Sequence, residues 1–259
     1  MSTISAEMIS AGYDQSLIIS NLSVTIPEGK VTTIIGANGC GKSTLLKALA
    51  RLLPLKAGQV LLDGQAIARL ATKDVARTLA ILPQLQEATT ATVYELVSYG
   101  RYPHQSYLGQ LSQADKDKIC WAMEVTSMTP YAHQAVDALS GGQRQRAWIA
   151  MALAQDTDII FLDEPTTYLD MNHQLDILEL LKELNQVSGK TIVMVLHDLN
   201  LSARYSDHLI AMKNGDIKYS GEVNQVMTPE MIQDIFQIKA QLVTDPLYHC
   251  PTLLTYQLI

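Results

Sequence analysis

An apolar run from Val31 to Ile35 leads straight into Gly36, Ala37, Asn38, Gly39, Cys40, Gly41, Lys42, Ser43 and Thr44, and this junction constrains the fold more than any other stretch. Its spacing fits the phosphate-binding pattern G-x-x-x-x-G-K-[S/T] in the setting that pattern needs, with a buried strand before it and a helix after it. The glycines let the backbone curl without Cβ clashes, so that successive N–H groups turn inward on an anion. Lys42 is placed to reach β- and γ-phosphate oxygens, and Ser43 to offer its hydroxyl to Mg²⁺. Leu45, Leu46, Leu49, Leu52 and Leu53 are expected to continue as a helix whose positive N-terminal end faces the same anion. The junction implies a grip on a nucleoside triphosphate and leaves the reaction open.

Composition narrows the setting. At 259 residues the chain is long enough for a sizeable core, as one domain or one domain with an inserted lobe. Nineteen Lys plus Arg against 26 Asp plus Glu give a net charge of -7, which gives no general attraction to nucleic acid or to an anionic membrane surface. Three cysteines, Cys40, Cys120 and Cys250, lie far apart with no C-x-x-C pair, favouring a reducing compartment over a disulfide framework or a zinc site. Cys40 inside the phosphate loop reads first as a small residue that the turn tolerates. No run approaches the ~18 consecutive apolar residues of a membrane span, and the first residues carry neither a basic nor a long apolar export region.

Residues 4–35 read as strands separated by turns, with a turn at Pro27 to Lys30 before the strand Val31 to Ile35. Val60 to Leu62 reads as a strand entering a tight turn at Asp63 and Gly64, and Leu79 to Leu82 as a short strand ending at Pro83 and Gln84. From about residue 92 the pattern becomes helical. Thr92 and Glu95 form a capping box, and Ser112 and the pair Thr129, Pro130 read as further helix starts. Ile159 to Leu162 and Thr191 to Leu196 are the short β-branched runs of a parallel sheet, with an amphipathic helix through Leu178, Leu181 and Leu184 between them. The expected plan is a single unit, 1–259, with an α/β core over 1–90 and 156–259, a β-rich antiparallel layer and an inserted helical subdomain over about 91–155.

Two further strings carry chemistry. Asp163 and Glu164 end the apolar run Ile159 to Leu162. Asp163 is positioned to hold Mg²⁺ opposite Ser43, since a hard cation bridging phosphates takes oxygen ligands, and Glu164 to orient or deprotonate the attacking water. Leu139, Ser140, Gly141, Gly142 and Gln143 open a second helix that runs to Ala154. Ser140 is a good N-cap, the glycines allow close approach of backbone N–H groups, and the helix dipole favours a phosphate.

With this L-S-G-G-Q string the chain resembles the ATP-binding subunits of ABC (ATP-binding cassette) transporters over nearly its whole length, with the motifs in the family's order. The resemblance implies a P-loop NTPase core of the ABC type and adds roles. Gln84 corresponds to the family's glutamine loop, Leu169 and Asp170 to the loop after the acidic pair, His197 to its switch histidine, and Tyr13 to an aromatic ring that stacks on adenine. It implies ATP and Mg²⁺ as cofactors, with Lys42 and the loop amides on the phosphates. Ser43, Gln84 and Asp163 would organise the metal, Glu164 activate water and His197 sense or stabilise the γ-phosphate. It implies a second copy of the chain as well, because in this family the L-S-G-G-Q helix of one subunit covers the nucleotide held by the other. Two cassettes then sandwich two ATP molecules head to tail.

The strings over Tyr99 to His104, Asp137 to Gln155 and Thr166 to Asp176 look like those of ferric-siderophore importer ATPases, with haem and cobalamin importers as close relatives. A bacterial importer implies transmembrane permease subunits, received at Gln84 and residues 99–108. Through them it implies a periplasmic or lipid-anchored binding protein, and a place at the cytoplasmic face of the inner membrane, with no nucleic-acid partner. Ala37 stands where many relatives have Pro, and His133 and Gln134 replace a more usual basic residue. A cassette protein that works without a membrane partner is the alternative from another class. Against it stand the single cassette, the absence of a coiled-coil insertion and the acidic balance.

Overall fold

In the computed structural model, which describes residues 2–14, 16–84, 89–105, 110–167 and 169–259, the N-terminal half begins with β1 (Ile4–Ala11), β2 (Ile19–Ile26) and β3 (Val31–Gly36). It continues through α1 (Lys42–Leu49), β4 (Leu55–Leu62), β5 (Gln65–Ala66), α2 (Thr72–Thr78) and β6 (Leu79–Leu82). Three helices follow, α3 (Val93–Tyr99), α4 (Gln113–Val125) and α5 (Gly141–Ala154). The chain then resumes alternation with β7 (Ile159–Asp163), α6 (Met171–Ser188), β8 (Thr191–Val195), α7 (Leu199–Tyr205) and β9 (His208–Lys213). It closes through β10 (Asp216–Glu222), α8 (Val223–Val226), α9 (Pro229–Phe236), β11 (Ile238–Thr244) and β12 (Pro251–Leu258).

The central sheet has the order β10-β9-β3-β8-β7-β6, parallel except for the edge strand β10. Every residue of β3, β7 and β8 is buried, as expected of strands covered on both faces. One face, through Ile34, Phe161, Val193 and Ile210, packs on α1, whose Leu45, Leu46 and Leu49 also meet Ile4, Ile9 and Val60 of the antiparallel sheet β2-β1-β4-β5. α1 is thus the filling between two sheets. The opposite face, through Val31, Ile160, Leu162, Ile192 and Met194, packs on α3 to α6.

Local chemistry sets several boundaries where the sequence places them. Thr92 with Glu95 and Ser112 with Asp115 form full capping boxes at the starts of α3 and α4, and Asp63 and Gly64 both adopt positive φ in the turn from β4 to β5. Two expectations are corrected. α1 ends at Leu49, not at Leu53: Arg51 adopts a left-handed φ of 60°, its N–H bonds to Ala48 O, and Leu52 N–H bonds back to Lys47 O. That pair of bonds closes the helix, and the Arg51 guanidinium then holds Ile67 O and Leu70 O. Thr129 and Pro130 start only a single 3₁₀ turn, Thr129–Tyr131.

Candidate nucleotide site

The carboxyl ends of four adjacent parallel strands build the site. β3 ends at Gly36, and the loop that follows feeds α1 through Lys42. The register pairs Leu82 with Leu162 and Asp163 with Val195, so Gln84, Glu164 and His197, each one or two residues past a strand end, emerge side by side. Ligands bind in this kind of crevice. Together with Tyr13, Ile18, Asn38, Gly39, Gly41, Ser43 and Thr44 they line a cleft of about 450 Å³.

The loop is held from below. Gly36 has φ 151°, and a Cβ there would stand 2.4 Å from Met212 O and 2.7 Å from Cys40 Sγ, so only glycine fits. Cys40 O accepts the N–H of Gly215 at 2.9 Å, bracing the loop against the turn between β9 and β10. Cys40 is buried, which pushes its thiol up against the pull of Lys42 and keeps it protonated. Lys42 Nζ donates to Gly36 O at 2.9 Å and Ala37 O at 3.1 Å.

Ser43 Oγ donates to Asp163 Oδ1 at 2.8 Å. Among the described residues Asp163 Oδ2 is buried without a hydrogen-bond partner. Burial pushes the Asp163 carboxyl up from its ordinary value, opposed by the Ser43 hydrogen bond and the charge of Lys47. An orphaned carboxylate oxygen beside a hydroxyl is what a hard divalent cation would satisfy, so the donor set fits Mg²⁺.

Glu164 sits at φ 55° and its carboxylate is saturated on three sides. Gln84 Nε2 donates to Oε2 at 2.7 Å, Thr167 Oγ1 donates to Oε2 at 3.0 Å, and His197 Nε2 lies 2.6 Å from Oε1. Burial pushes this carboxyl up, but the hydrogen bonds from His197, Thr167 and Gln84 outweigh burial and hold it below the usual glutamate range.

The structure therefore brings together Tyr13, Lys42, Ser43, Gln84, Asp163, Glu164 and His197. It does not bring Ser140, Gly141, Gly142 or Gln143 to them. Ser140 and Gln143 form a capping box at the start of α5, and a Cβ on Gly141 would meet no atom within 4 Å. Ser140 and Gly141 are exposed, and none of residues 140–143 lines the cleft of its own chain. Asp170 caps α6 by accepting from His173 N–H. Tyr168 and residues 106–108 of the expected permease-facing stretch lie outside the described residues. Two contributors were missed in the sequence. Ile18 carried no chemical signal, and Thr167, three residues past Glu164, could have been found only by asking what would hold a carboxylate in a turn.

Comparison with known proteins follows the same lines. Residues 19–167 match the ABC transporter family. The chain is 53% identical over 260 residues to the iron(3+)-hydroxamate import ATP-binding protein FhuC of Bacillus subtilis (strain 168), covering 100% of this chain and 97% of that protein. It is 49% identical over 248 residues to the ferric enterobactin transport ATP-binding protein FepC of Escherichia coli (strain K12), covering 95% and 91%. Among solved structures it superposes on the dimeric, post-hydrolysis ATP-binding cassette MJ0796 bound to ADP and Pi with a TM-score of 0.75 at 28% identity, covering 85% of this chain and 98% of that one. The family match over residues 19–167 and identity to these relatives over nearly the whole chain place it plainly: this chain belongs to the ABC transporter family, as one of its ATPase subunits.

Proposed function

We propose that this chain hydrolyses ATP to drive a bacterial importer of ferric siderophores, working at the cytoplasmic face of the inner membrane beneath a permease fed by a substrate-binding protein. Identity near one half over essentially the whole chain to ATP-binding proteins named for iron(3+)-hydroxamate and ferric enterobactin carries the choice of cargo. The cassette does not touch cargo, so this choice rests on those relatives and not on the cleft. The helices α3 to α5, within the subdomain proposed over about 91–155, would receive the permease, on the face that carries exposed Tyr99 and Tyr102.

The geometry supports the following division of work. Tyr13, half-exposed at the cleft wall, stacks on adenine. Lys42 exchanges its bonds to Gly36 O and Ala37 O for β- and γ-phosphate oxygens, while the amides of Asn38 to Thr44 surround the phosphates. Ser43, Gln84 and Asp163 would hold Mg²⁺, which neutralises charge on the phosphate oxygens. Glu164, kept ionised by its three partners, accepts the proton of the attacking water. His197 fixes the Glu164 carboxylate and contacts the γ-phosphate. Because Ser140 to Gln143 open outward, they cover the nucleotide of a second copy, and ATP becomes the ligand that favours the closed dimer.

Deletion of the gene and complementation test this reading. Iron-chelate uptake is lost on deletion, returns with the wild-type chain and does not return with Lys42→Ala or Glu164→Gln. Uptake restored by Lys42→Ala refutes it, and a deletion strain that loses haem or cobalamin uptake instead reassigns the cargo.

A further inference from the structure

The C-terminal hairpin of β11 and β12 is a two-stranded sheet on its own, and its placement is fixed at both ends. At the loop end Asp245 is buried and accepts from Arg204 Nε at 2.9 Å, near the C-terminus of α7. Further along, Leu253 N–H donates to Asn200 Oδ1 at 2.7 Å and Leu253 O accepts from Asn200 Nδ2 at 3.3 Å, near the N-terminus of α7. β12 thus runs antiparallel along α7, and its remainder projects past the helix start, toward the side where His197 reaches the cleft. The other strand agrees. Leu258 pairs with Ile238, two residues after α9, and α9 is tied through Asp234 to Lys213, at the end of β9 from which the phosphate loop is braced.

The projecting part is apolar and open. Leu254, Tyr256, Leu258 and Ile259 are 62%, 66%, 85% and 74% exposed. Among the described residues no strand pairs with the outer edge of β12. A hollow of about 380 Å³ crosses the two strands, lined by Lys239, Ala240, Gln241, Thr255, Tyr256 and Gln257. An open, apolar edge strand is a template for pairing that proteins otherwise blunt with charge, proline or a cover. Here no charged side chain occurs from Leu253 to Ile259.

We propose that β12 pairs antiparallel with the same strand of a second copy of this chain when two cassettes close on ATP. The proposal rests on the head-to-tail dimer above, which has two-fold symmetry, and in a two-fold dimer a strand near the axis meets itself in antiparallel register. Its projection toward the cleft side of the sheet would make the contact continuous with the proposed ATP-bridged interface. It would add to that interface an apolar surface that needs no nucleotide contact.

Cysteine cross-linking of the full-length chain tests it, in a Cys120→Ser, Glu164→Gln background that removes the exposed thiol and stabilises the ATP-bound state. Leu254→Cys, Tyr256→Cys and Leu258→Cys are introduced singly, with Val187→Cys on exposed α6 surface as control. With ATP, Mg²⁺ and a mild oxidant, an intermolecular disulfide at one or more β12 positions and none at 187 supports the proposal. A dimer seen by light scattering with no β12 disulfide overturns it and leaves the ATP sandwich standing. A chain that stays monomeric overturns both, and a β12 position that cross-links to co-purified permease instead of to itself overturns the self-pairing. The triple change Leu254→Ser, Tyr256→Ser, Leu258→Ser alters only exposed side chains. It is expected to weaken ATP-dependent dimerisation about tenfold or more with ATP binding to the monomer unchanged; equal dimerisation refutes the contact.

Discussion

His197 Nε2 lies 2.6 Å from Glu164 Oε1, although the two residues end neighbouring strands 33 positions apart in the chain. In the division of work proposed above, the carboxylate that would take a proton from water is aimed by the group that would contact the γ-phosphate, so water activation and nucleotide sensing would share one hydrogen bond. Glu164→Gln preserves the shape of this arrangement and removes the base. It is expected to lower kcat by about 10²–10⁴-fold and to trap an ATP-bound dimer, read by phosphate release and light scattering.

With Glu164 as the proposed base, the hydrogen bonds on its carboxylate would set the acid limit of hydrolysis. Its carboxyl is held below the ordinary value of 4.5 by His197, Thr167 and Gln84 against the opposing effect of burial. Thr167→Val removes one donor, and the acid limb of the kcat/KM profile is expected to move to higher pH. The sign for stability follows from linkage. A carboxyl depressed in the folded state stabilises the fold fully above its unfolded value, and the contribution is lost as pH falls through the native one. The wild-type advantage over Thr167→Val in urea melts should therefore fade on acidification below about pH 4.5.

Asp163 and Ser43 divide one hydrogen bond between them and leave Asp163 Oδ2 without a partner. Asp163→Asn is expected to abolish the Mg²⁺-dependent part of ATP affinity while leaving binding in EDTA near wild type, as measured by fluorescent-nucleotide titration. Equal Mg²⁺ enhancement in both chains would contradict the assignment.

Arg101 and Asp115 form an ion pair at 2.8 Å, both buried, and Arg101 Nη1 also donates to Ala154 O at the end of α5. This pins the end of α3 to α4 and α5. Asp115→Ala leaves a buried guanidinium unpaired and is expected to cost about 3–5 kcal/mol. The double change Arg101→Met, Asp115→Leu should recover much of that loss in denaturant titrations.

The sequence is most readable where an element is fixed by its own residues. The apolar runs of β3, β6, β7 and β8 and the capping boxes at Thr92 and Ser112 are local decisions, and the structure keeps them. The errors come where distant atoms decide. Leu52 and Leu53 continue the apolar spacing of α1, but Arg51 closes the helix because its guanidinium finds carbonyls at Ile67 and Leu70. The placement of the β11–β12 hairpin is not a local decision, since it depends on Arg204 and Asn200, 41 and 53 residues before their partners Asp245 and Leu253. In the cleft, Lys42, Asp163 and Glu164 announce themselves by residue type and setting, whereas Thr167 acquires a role only once the turn after β7 folds it back.

The two carbonyl bonds of Lys42 bear on when the loop takes its shape. The loop is wound around the Lys42 ammonium through Gly36 O and Ala37 O, so in its proposed role the side chain would exchange one set of oxygen acceptors for another without a slack segment having to order. The entropy of shaping the loop is spent when the chain folds.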